Sequence, residues 1–216
     1  MKKIIAVDGP AGAGKSTVSK LVAKKLNFTY IDTGAMYRAV GLKVFESGKP
    51  VNEETVTEIA KDIEIRLDES ARVFIGEREV TKEIRMPEIG NMASTVGKFG
   101  AVRKKLTELQ RNMAKSGSVI MDGRDIGTAV LPDADLKIFL TASVEERARR
   151  RFEELKAKNI PANFDKVKNE IILRDKQDSE REIAPLKKAD DAILLDTTKL
   201  SIAEVVEKIV GLAEAE

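Results

Sequence analysis

The sequence predicts an α/β fold in which helices cover both faces of a five-stranded parallel β-sheet. Short, nearly continuous apolar runs alternate with segments of helical periodicity along the whole chain, which is typical of a parallel sheet with crossover helices. Strands that are buried on both faces have such continuous runs because neither side of them meets water. The candidate core strands are Lys3–Val7, Phe28–Ile31, Ser118–Met121, Leu136–Leu140 and Ala192–Leu195.

More than eighty residues separate the second and third candidate strands, which is too long for one crossover. We therefore expect one domain over residues 1–216 with an inserted region at about 51–97. Within the insert, alternating apolar and polar residues predict a small antiparallel sheet with one solvated face. Its candidate strands are Ile63–Leu67, Arg72–Ile75 and Glu79–Thr81. Flanking helices are predicted at Glu53–Asp62 and Pro87–Val96, the latter with proline at its first position.

The composition excludes several classes of function. Charged residues make up 34% of the chain, yet the net charge is only +2, which argues against a stable nucleic-acid partner bound through a broad basic field. The chain contains no cysteine and no histidine, so disulfides, thiolate zinc sites and a histidine base are excluded. Catalysis must therefore use lysine, arginine, aspartate, serine or threonine side chains.

Targeting signals are equally sparse. The apolar run after the first two lysines is too short for a signal peptide, and no later stretch approaches the length of a membrane span. We expect a cytoplasmic protein with no membrane partner. Since no interface stripe is evident, a monomer is the simplest expectation.

A phosphate-binding loop follows the first candidate strand. Gly9–Ser16 fits the pattern G-x-x-x-x-G-K-[ST] and leads into a helical pattern, which is the context that this motif requires. Its glycines let backbone amides converge on an anion at the positive end of the helix. Lys15 is expected to bridge the β- and γ-phosphates of ATP, and Ser16 to hold Mg²⁺. The predicted ATP-binding residues are Gly9, Pro10, Ala11, Gly12, Ala13, Gly14, Lys15, Ser16 and Thr17. The loop predicts the three-layer fold of P-loop nucleotide hydrolases and kinases.

The motif indicates a nucleotide site but does not define a reaction. A GTPase would carry an N-K-x-D guanine-binding motif, which this sequence lacks, and the chain is short for a large ATPase with oligomerisation elements. A small kinase is the class that remains.

Two candidate strands end in acidic and basic residues that could form an acceptor site. Asp32 to Arg38 follows the second strand, and Asp122 to Asp125 ends the third. Ligands of open α/β sheets bind at this carboxyl edge. An arginine pair suits a phosphate dianion, and carboxylates accept hydrogen bonds from a sugar or an exocyclic amine, so a nucleoside monophosphate acceptor is predicted.

Several of these residues also fit purely structural roles. Asp32 and Asp122 equally fit turns or strand-end caps. Arg103 lies in an ordinary helical pattern, where an arginine is more often a surface charge. Asp178 and Arg181 are three residues apart and fit a helix ion pair.

Together, the motifs resemble those of bacterial cytidylate kinases, within the nucleoside monophosphate kinases. The motifs are GPAGAGKST, DTGAMYR, DGRDIG, an RDxxDxxR pattern over residues 174–181, and KKADDAILLDTT. They span nearly the whole chain in the family's order. The resemblance implies transfer of the γ-phosphate of ATP to CMP or dCMP with Mg²⁺ as cofactor.

The resemblance also implies the roles of individual residues. It places Thr33 and Ser94 against the acceptor nucleotide, Arg38, Arg103 and Arg124 at its phosphate, and Asp125, Asp178 and Arg181 at its cytosine and sugar. Lys15 and Arg124 would be the catalytic residues. A helical lid is expected at about residues 144–169. The candidate arginines for the donor phosphates are Arg147, Arg149, Arg150, Arg151 and Arg174.

Two other classes of function stay open. A P-loop kinase for another small acceptor, such as UMP, AMP or a non-nucleotide, would share the loop and the lid, although a non-nucleotide acceptor would scarcely need base-reading residues such as Asp178 and Arg181. A nucleotide-dependent RNA-binding module would use Lys15 in a switch, but the evenly balanced charge does not favour it.

Overall fold

A computed structural model describes residues 2–68 and 70–215 of the chain. In chain order, the elements are β1 (Ile4–Asp8), α1 (Lys15–Leu26), β2 (Thr29–Asp32), α2 (Thr33–Ser47), α3 (Glu53–Asp62), β3 (Ile65–Leu67), β4 (Val73–Ile75), β5 (Arg78–Glu79), a 3-10 helix (Glu83–Arg85), α4 (Pro87–Val96), α5 (Gly100–Ala114), β6 (Val119–Gly123), a π-helical turn (Ile126–Val130), β7 (Leu136–Thr141), α6 (Val144–Ala157), α7 (Phe164–Glu180), β8 (Ile193–Asp196) and α8 (Ile202–Ala215).

The main sheet has five strands in the order β2-β6-β1-β7-β8. β1 pairs in parallel with β7, with Ile5 opposite Leu136, and β7 pairs in parallel with β8, with Ile138 opposite Ile193. Non-consecutive neighbours in this order require crossover connections, which the helices provide. The predicted α/β fold with a five-stranded parallel sheet is confirmed.

The predicted small antiparallel sheet is also present. β3 pairs with β4 and β4 with β5, both antiparallel. Its two flanking helices, α3 and α4, begin and end at the predicted residues, and Pro87 occupies the start of α4. Proline is tolerated there because the first amides of a helix have no partner within the helix.

The chain divides into two compact units, Met1–Phe28 with Ile120–Glu216 and Thr29–Val119. The second unit has its own core, in which Met36 and Leu42 of α2 pack with Ile89 of α4 and Leu106 of α5. In the first unit, α6 and α7 share a smaller apolar cluster. The boundaries 51–97 for the insert and 144–169 for the lid remain predictions.

Helices α2 and α4 approach each other closely at Gly41. A Cβ atom at this position would lie 3.1 Å from the backbone nitrogen of Ala93.

Among the described residues, no helix combines the length and the apolar character that crossing a membrane requires.

Gly9 and Gly211 offer opposite outcomes for the same substitution. Gly9 has φ +149°, and an added Cβ would lie 1.9 Å from the carbonyl oxygen of Leu140 on β7. We expect Gly9→Ala to lower the free energy of unfolding by about 2 kcal/mol or more. Gly211 is exposed in α8 with no atom within 4 Å of an added Cβ. Gly211→Ala should raise stability by about 0.5–1 kcal/mol.

Urea denaturation of both variants checks this pair of expectations, with the wild type as reference. A Gly9→Ala protein as stable as the wild type would show that the loop does not need its close contact with β7.

Candidate active site

The phosphate loop connects β1 to the first residue of α1. Three of its glycines have positive φ, namely 149° at Gly9, 75° at Gly12 and 89° at Gly14, which turns the backbone tightly. Lys15 is buried, and its Nζ donates hydrogen bonds to the carbonyl oxygens of Gly9 (2.7 Å) and Pro10 (2.8 Å). The lysine thus lies against the loop that the sequence motif predicts.

Ser16 and Asp122 meet beside this loop. The Ser16 hydroxyl donates to Oδ2 of Asp122 at 2.9 Å, and Asp122 is buried at the carboxyl end of β6. A hydroxyl and a carboxylate are oxygen ligands of the kind that Mg²⁺ prefers, so the residues fit the expected metal. From sequence alone, Asp122 fits a turn or a strand-end cap as well as a place in the acceptor site. The signal in the sequence for a functional role of Asp122 is its position directly after a fully apolar strand.

Lys15 is surrounded by charged groups. Burial lowers its pKa well below the ordinary value of 10.5, and the guanidinium group of Arg124 acts in the same direction, whereas Asp122, Asp8 and Asp178 oppose both. A buried and a half-buried cation that repel each other form a site that favours a bound anion.

Arg124, Asp125, Asp178 and Arg181 form one network. Arg124 donates through Nε to Oδ2 of Asp178 at 2.8 Å. Arg181 donates through Nη2 to Oδ1 of Asp125 at 3.3 Å and lies 3.9 Å from Oδ1 of Asp178. Burial by itself raises the pKa of Asp178, but Arg124 and Arg174 lower it overall, so its carboxylate stays ionised. The alternative interpretation of Asp178 and Arg181 as an ion pair agrees with the distance of 3.9 Å between them. Their other contacts, with Arg124 and Asp125, join both residues to the segment after β6.

Arg147 makes internal contacts at the base of α6. It is buried and donates through Nε to the carbonyl of Ala142 (2.9 Å) and through Nη1 to that of Ala11 (2.9 Å). The same Nη1 lies 2.7 Å from Oδ2 of Asp175 on α7. A Cβ at Gly12 would lie 3.2 Å from the Cβ of Arg147, so loop and helix pack closely. Arg147 therefore ties α6 and α7 to the phosphate loop.

The other arginines of α6 are more exposed and paired with acids of the same helix. Arg149 contacts Glu146 and Glu153, and Arg151 contacts Glu154. Arg150 donates to Glu146 and, through Nη2, to the carbonyl of Thr197 at 2.8 Å. These three arginines line a cavity of about 480 Å³ together with Gly12, Ala13, Gly14, Thr17, Thr197, Leu200 and Ile202. Their contact with the donor phosphates remains a prediction, as does that of Arg174.

In the second unit, Asp32 anchors a basic cluster. Its Oδ1 accepts a hydrogen bond from the amide of Ala35 (2.8 Å), which caps α2, and its Oδ2 accepts one from Nη2 of Arg85 (2.9 Å). Burial by itself raises the pKa of Asp32, but Arg85 and Arg38 lower it overall. The interpretation of Asp32 as a cap is thus confirmed. The sequence analysis missed Arg85, because nothing local marks an arginine whose partner lies 53 residues away.

Arg103 is a buried residue and not a surface charge. Only 4% of it is exposed, its Nη1 donates to the carbonyl of Gly97 at 3.2 Å, and its guanidinium carbon lies 5.6 Å from the centre of the Tyr37 ring. Thr33 is buried in the first turn of α2, and Ser94 is half-buried on α4. Their contacts with an acceptor, and a position of Arg38 beside Lys15, remain predictions.

Asp8, the last residue of β1, is a further buried acid. Its Oδ1 accepts from the amide of Ile126 (2.8 Å) and its Oδ2 from that of Gly127 (2.7 Å). Burial raises the pKa of Asp8 from 3.8 to about 6, although these two hydrogen bonds oppose the rise. Of the nearby charges, Asp125 raises this pKa and Lys15 lowers it.

The raised pKa of Asp8 predicts a pH-dependent stability. Because the folded state prefers the neutral carboxyl, the stability that Asp8 contributes is complete below pH 3.8 and is lost as the pH rises through about 6. We expect the free energy of unfolding of the wild type, minus that of Asp8→Asn, to fall by about 2 kcal/mol between pH 4 and pH 7. Urea denaturation of both proteins across this range measures the difference, and a constant difference contradicts the assignment.

Comparison with known proteins identifies the family of this chain. Residues 5–215 match the family described as cytidylate kinase. A cytidylate kinase of Exiguobacterium sibiricum is 54% identical over 219 residues, which cover 99% of this chain and 98% of that protein. One from Bacillus thuringiensis is 52% identical over 212 residues, covering 96% of this chain and 94% of that protein.

The fold of the chain is also similar to that of a solved structure. The shikimate kinase of Bacteroides thetaiotaomicron superposes with a TM-score of 0.53 at 15% identity and covers 99% of each chain. A likeness at this identity supports the α/β kinase fold alone, whereas the sequence matches extend over nearly the whole chain. The chain therefore belongs to the cytidylate kinase family.

Proposed function

We propose that this chain transfers the γ-phosphoryl group of ATP to CMP or dCMP, giving ADP and CDP or dCDP. Family membership supports the reaction. The observation that carries it is the network of Arg124, Asp125, Asp178 and Arg181, because two of its members, Arg124 and Asp178, act electrostatically on Lys15 of the phosphate loop. A kinase for a non-nucleotide acceptor would scarcely need paired acids and arginines of this kind.

The acceptor is proposed to be read by two kinds of side chain. Guanidinium groups bind a phosphate dianion in a bidentate manner, which suits Arg38, Arg103 and Arg124 to the phosphate of CMP. Carboxylates accept hydrogen bonds from the exocyclic amine of cytosine and from sugar hydroxyls, which suits Asp125 and Asp178 to these groups. Arg181, held between those two acids, would complete the cytosine and sugar site. Thr33 and Ser94 would face the same nucleotide.

The transfer needs no general base. An oxygen of the acceptor phosphate, largely ionised near neutral pH, forms a bond to the γ-phosphorus while the bond from that phosphorus to the β,γ-bridging oxygen breaks. The electron pair leaves with ADP. The barrier is lowered by positioning and by positive charge around the transferring group, which explains why a chain without histidine can perform this reaction.

Lys15 supplies part of that positive charge. Its buried ammonium group is disfavoured by burial and by Arg124. The negative charge of bound phosphates would favour the charged form, so the lysine would be most strongly cationic when its substrates are present. Ser16 and Asp122 would hold Mg²⁺, which when bound neutralises charge on the β- and γ-phosphate oxygens.

Water must be kept from the transferring group, because hydrolysis of ATP would compete with transfer. The proposed lid, at about residues 144–169, would close over the donor and bring exposed arginines of α6 toward its phosphates. The protein would bind ATP and CMP or dCMP. It would act as a monomer and without a stable nucleic-acid partner.

A coupled assay for ADP tests the proposed function. We expect the highest kcat/KM with CMP or dCMP in a panel that also contains UMP, AMP and GMP, because the acids of the network match the cytosine amine. A preference for AMP or GMP contradicts the cytosine assignment. Salt-sensitive binding of an RNA oligomer, together with no turnover of any monophosphate, would favour the RNA-binding alternative.

Variants of two central residues test the proposed catalytic roles. We expect Lys15→Ala and Arg124→Ala each to lower kcat/KM by about 100-fold or more while the circular dichroism spectrum stays that of the wild type, since each removes charge next to the transferring phosphoryl. Arg111→Ala, at the exposed carboxyl end of α5, is the matched control and should keep wild-type kinetics. Near-wild-type kinetics of Arg124→Ala would refute its role at the acceptor phosphate.

A further inference from the structure

The residues after β6 form a single π-helical turn, Ile126–Val130, directly behind Arg124 and Asp125. The first amides of any helical turn have no partner within the turn and need an external acceptor. Asp125 precedes the turn and is a residue type that usually supplies this cap, yet it makes no such bond. Its Oδ1 accepts from Nη2 of Arg181 at 3.3 Å instead.

Asp8 supplies the missing cap from the end of β1. Each of its two carboxylate oxygens accepts from one amide, at 2.8 Å from Ile126 and 2.7 Å from Gly127, and the side chain is 5% exposed. The turn is held close, because a Cβ at Gly127 would lie 3.1 Å from Cδ of Lys137 and 3.5 Å from Oδ2 of Asp8. Glycine at this position therefore permits the approach.

We infer that Asp8 is a positioning residue for the acceptor: it caps the turn that follows β6 and so leaves the Asp125 carboxylate to Arg181 and the bound nucleotide. Asp8 does not contact substrate in this assignment, because both of its oxygens are engaged by backbone amides. The inference rests on the proposed function, in which Arg124 and Asp125 bind the acceptor.

An asparagine at position 8 cannot replace this double acceptor. Its amide oxygen can accept from one backbone N–H, but its NH₂ group would face the other, so one buried donor would lose its partner. The turn would shift, and the residues directly in front of it, Arg124 and Asp125, would shift with it. The phosphate loop begins at the next residue, Gly9. A change in the KM for ATP would therefore indicate a disturbed loop, whereas a change in the KM for CMP would indicate a disturbed turn.

Steady-state kinetics of Asp8→Asn separate these possibilities. With ATP saturating, we expect the KM for CMP to rise by about tenfold or more, the scale of one lost buried hydrogen bond. With CMP saturating, the KM for ATP should rise by no more than about threefold, because Asp122 and Asp178 still favour the charged form of Lys15. The matched control is Asp135→Asn, because Oδ2 of Asp135 accepts from the amide of Ile4 (2.6 Å) on the same strand but is exposed. Both of its KM values should equal those of the wild type.

A selective rise in the KM for CMP supports the assignment. An equal rise in both constants, a rise for ATP alone, or no change overturns it. If Asp8→Asn does not fold, Gly127→Ala disturbs the same contact from the other side and should give the same selective rise, and an unchanged KM for CMP in that variant overturns the inference. If the wild type prefers another monophosphate, the proposed function fails, and the ratios measured with that acceptor still decide the role of Asp8.

Discussion

The buried positive charge of Lys15 is the constraint on which the rest of the site depends. A lysine that is 6% exposed loses most of its hydration, which lowers its pKa. The carboxylates of Asp122, Asp8 and Asp178, from three different elements, partly oppose this fall, while Arg124 adds to it. The neighbouring acids are themselves bonded to hydroxyl, amide or guanidinium groups, which stabilise their charged forms.

The features that were predictable from the sequence have local causes. The parallel strands carry continuous apolar runs, and α4 begins at the proline that its first position tolerates, so both follow from neighbouring residues. The contacts that were not predicted join residues far apart in the sequence. Ser16 bonds to an acid 106 residues away, Arg85 to one 53 residues away, and Asp8 to an amide 118 residues away. Only the folded chain brings such pairs together, and no periodicity marks them.

Arg103 and Asp125 show a different limit of sequence reasoning. The pattern around Arg103 is that of a solvated helix, but the residue is buried beside Tyr37 of α2 and Gly97, which follows α4. Asp125 fits a cap by position, yet its carboxylate contacts Arg181 because another acid has taken over the capping. Both residues were predicted to belong to the site. The partners that each of them contacts depend on packing and on competing groups in the folded chain.

The contacts of Arg147 have a mechanical consequence. One guanidinium group joins the carbonyl of Ala11 in the phosphate loop to Asp175 on α7, and its Nε holds the carbonyl of Ala142. The first turn of α6 is therefore held against the phosphate loop. A lid built from these two helices would move at the end near Leu155 and the connection to α7, while the loop keeps its shape.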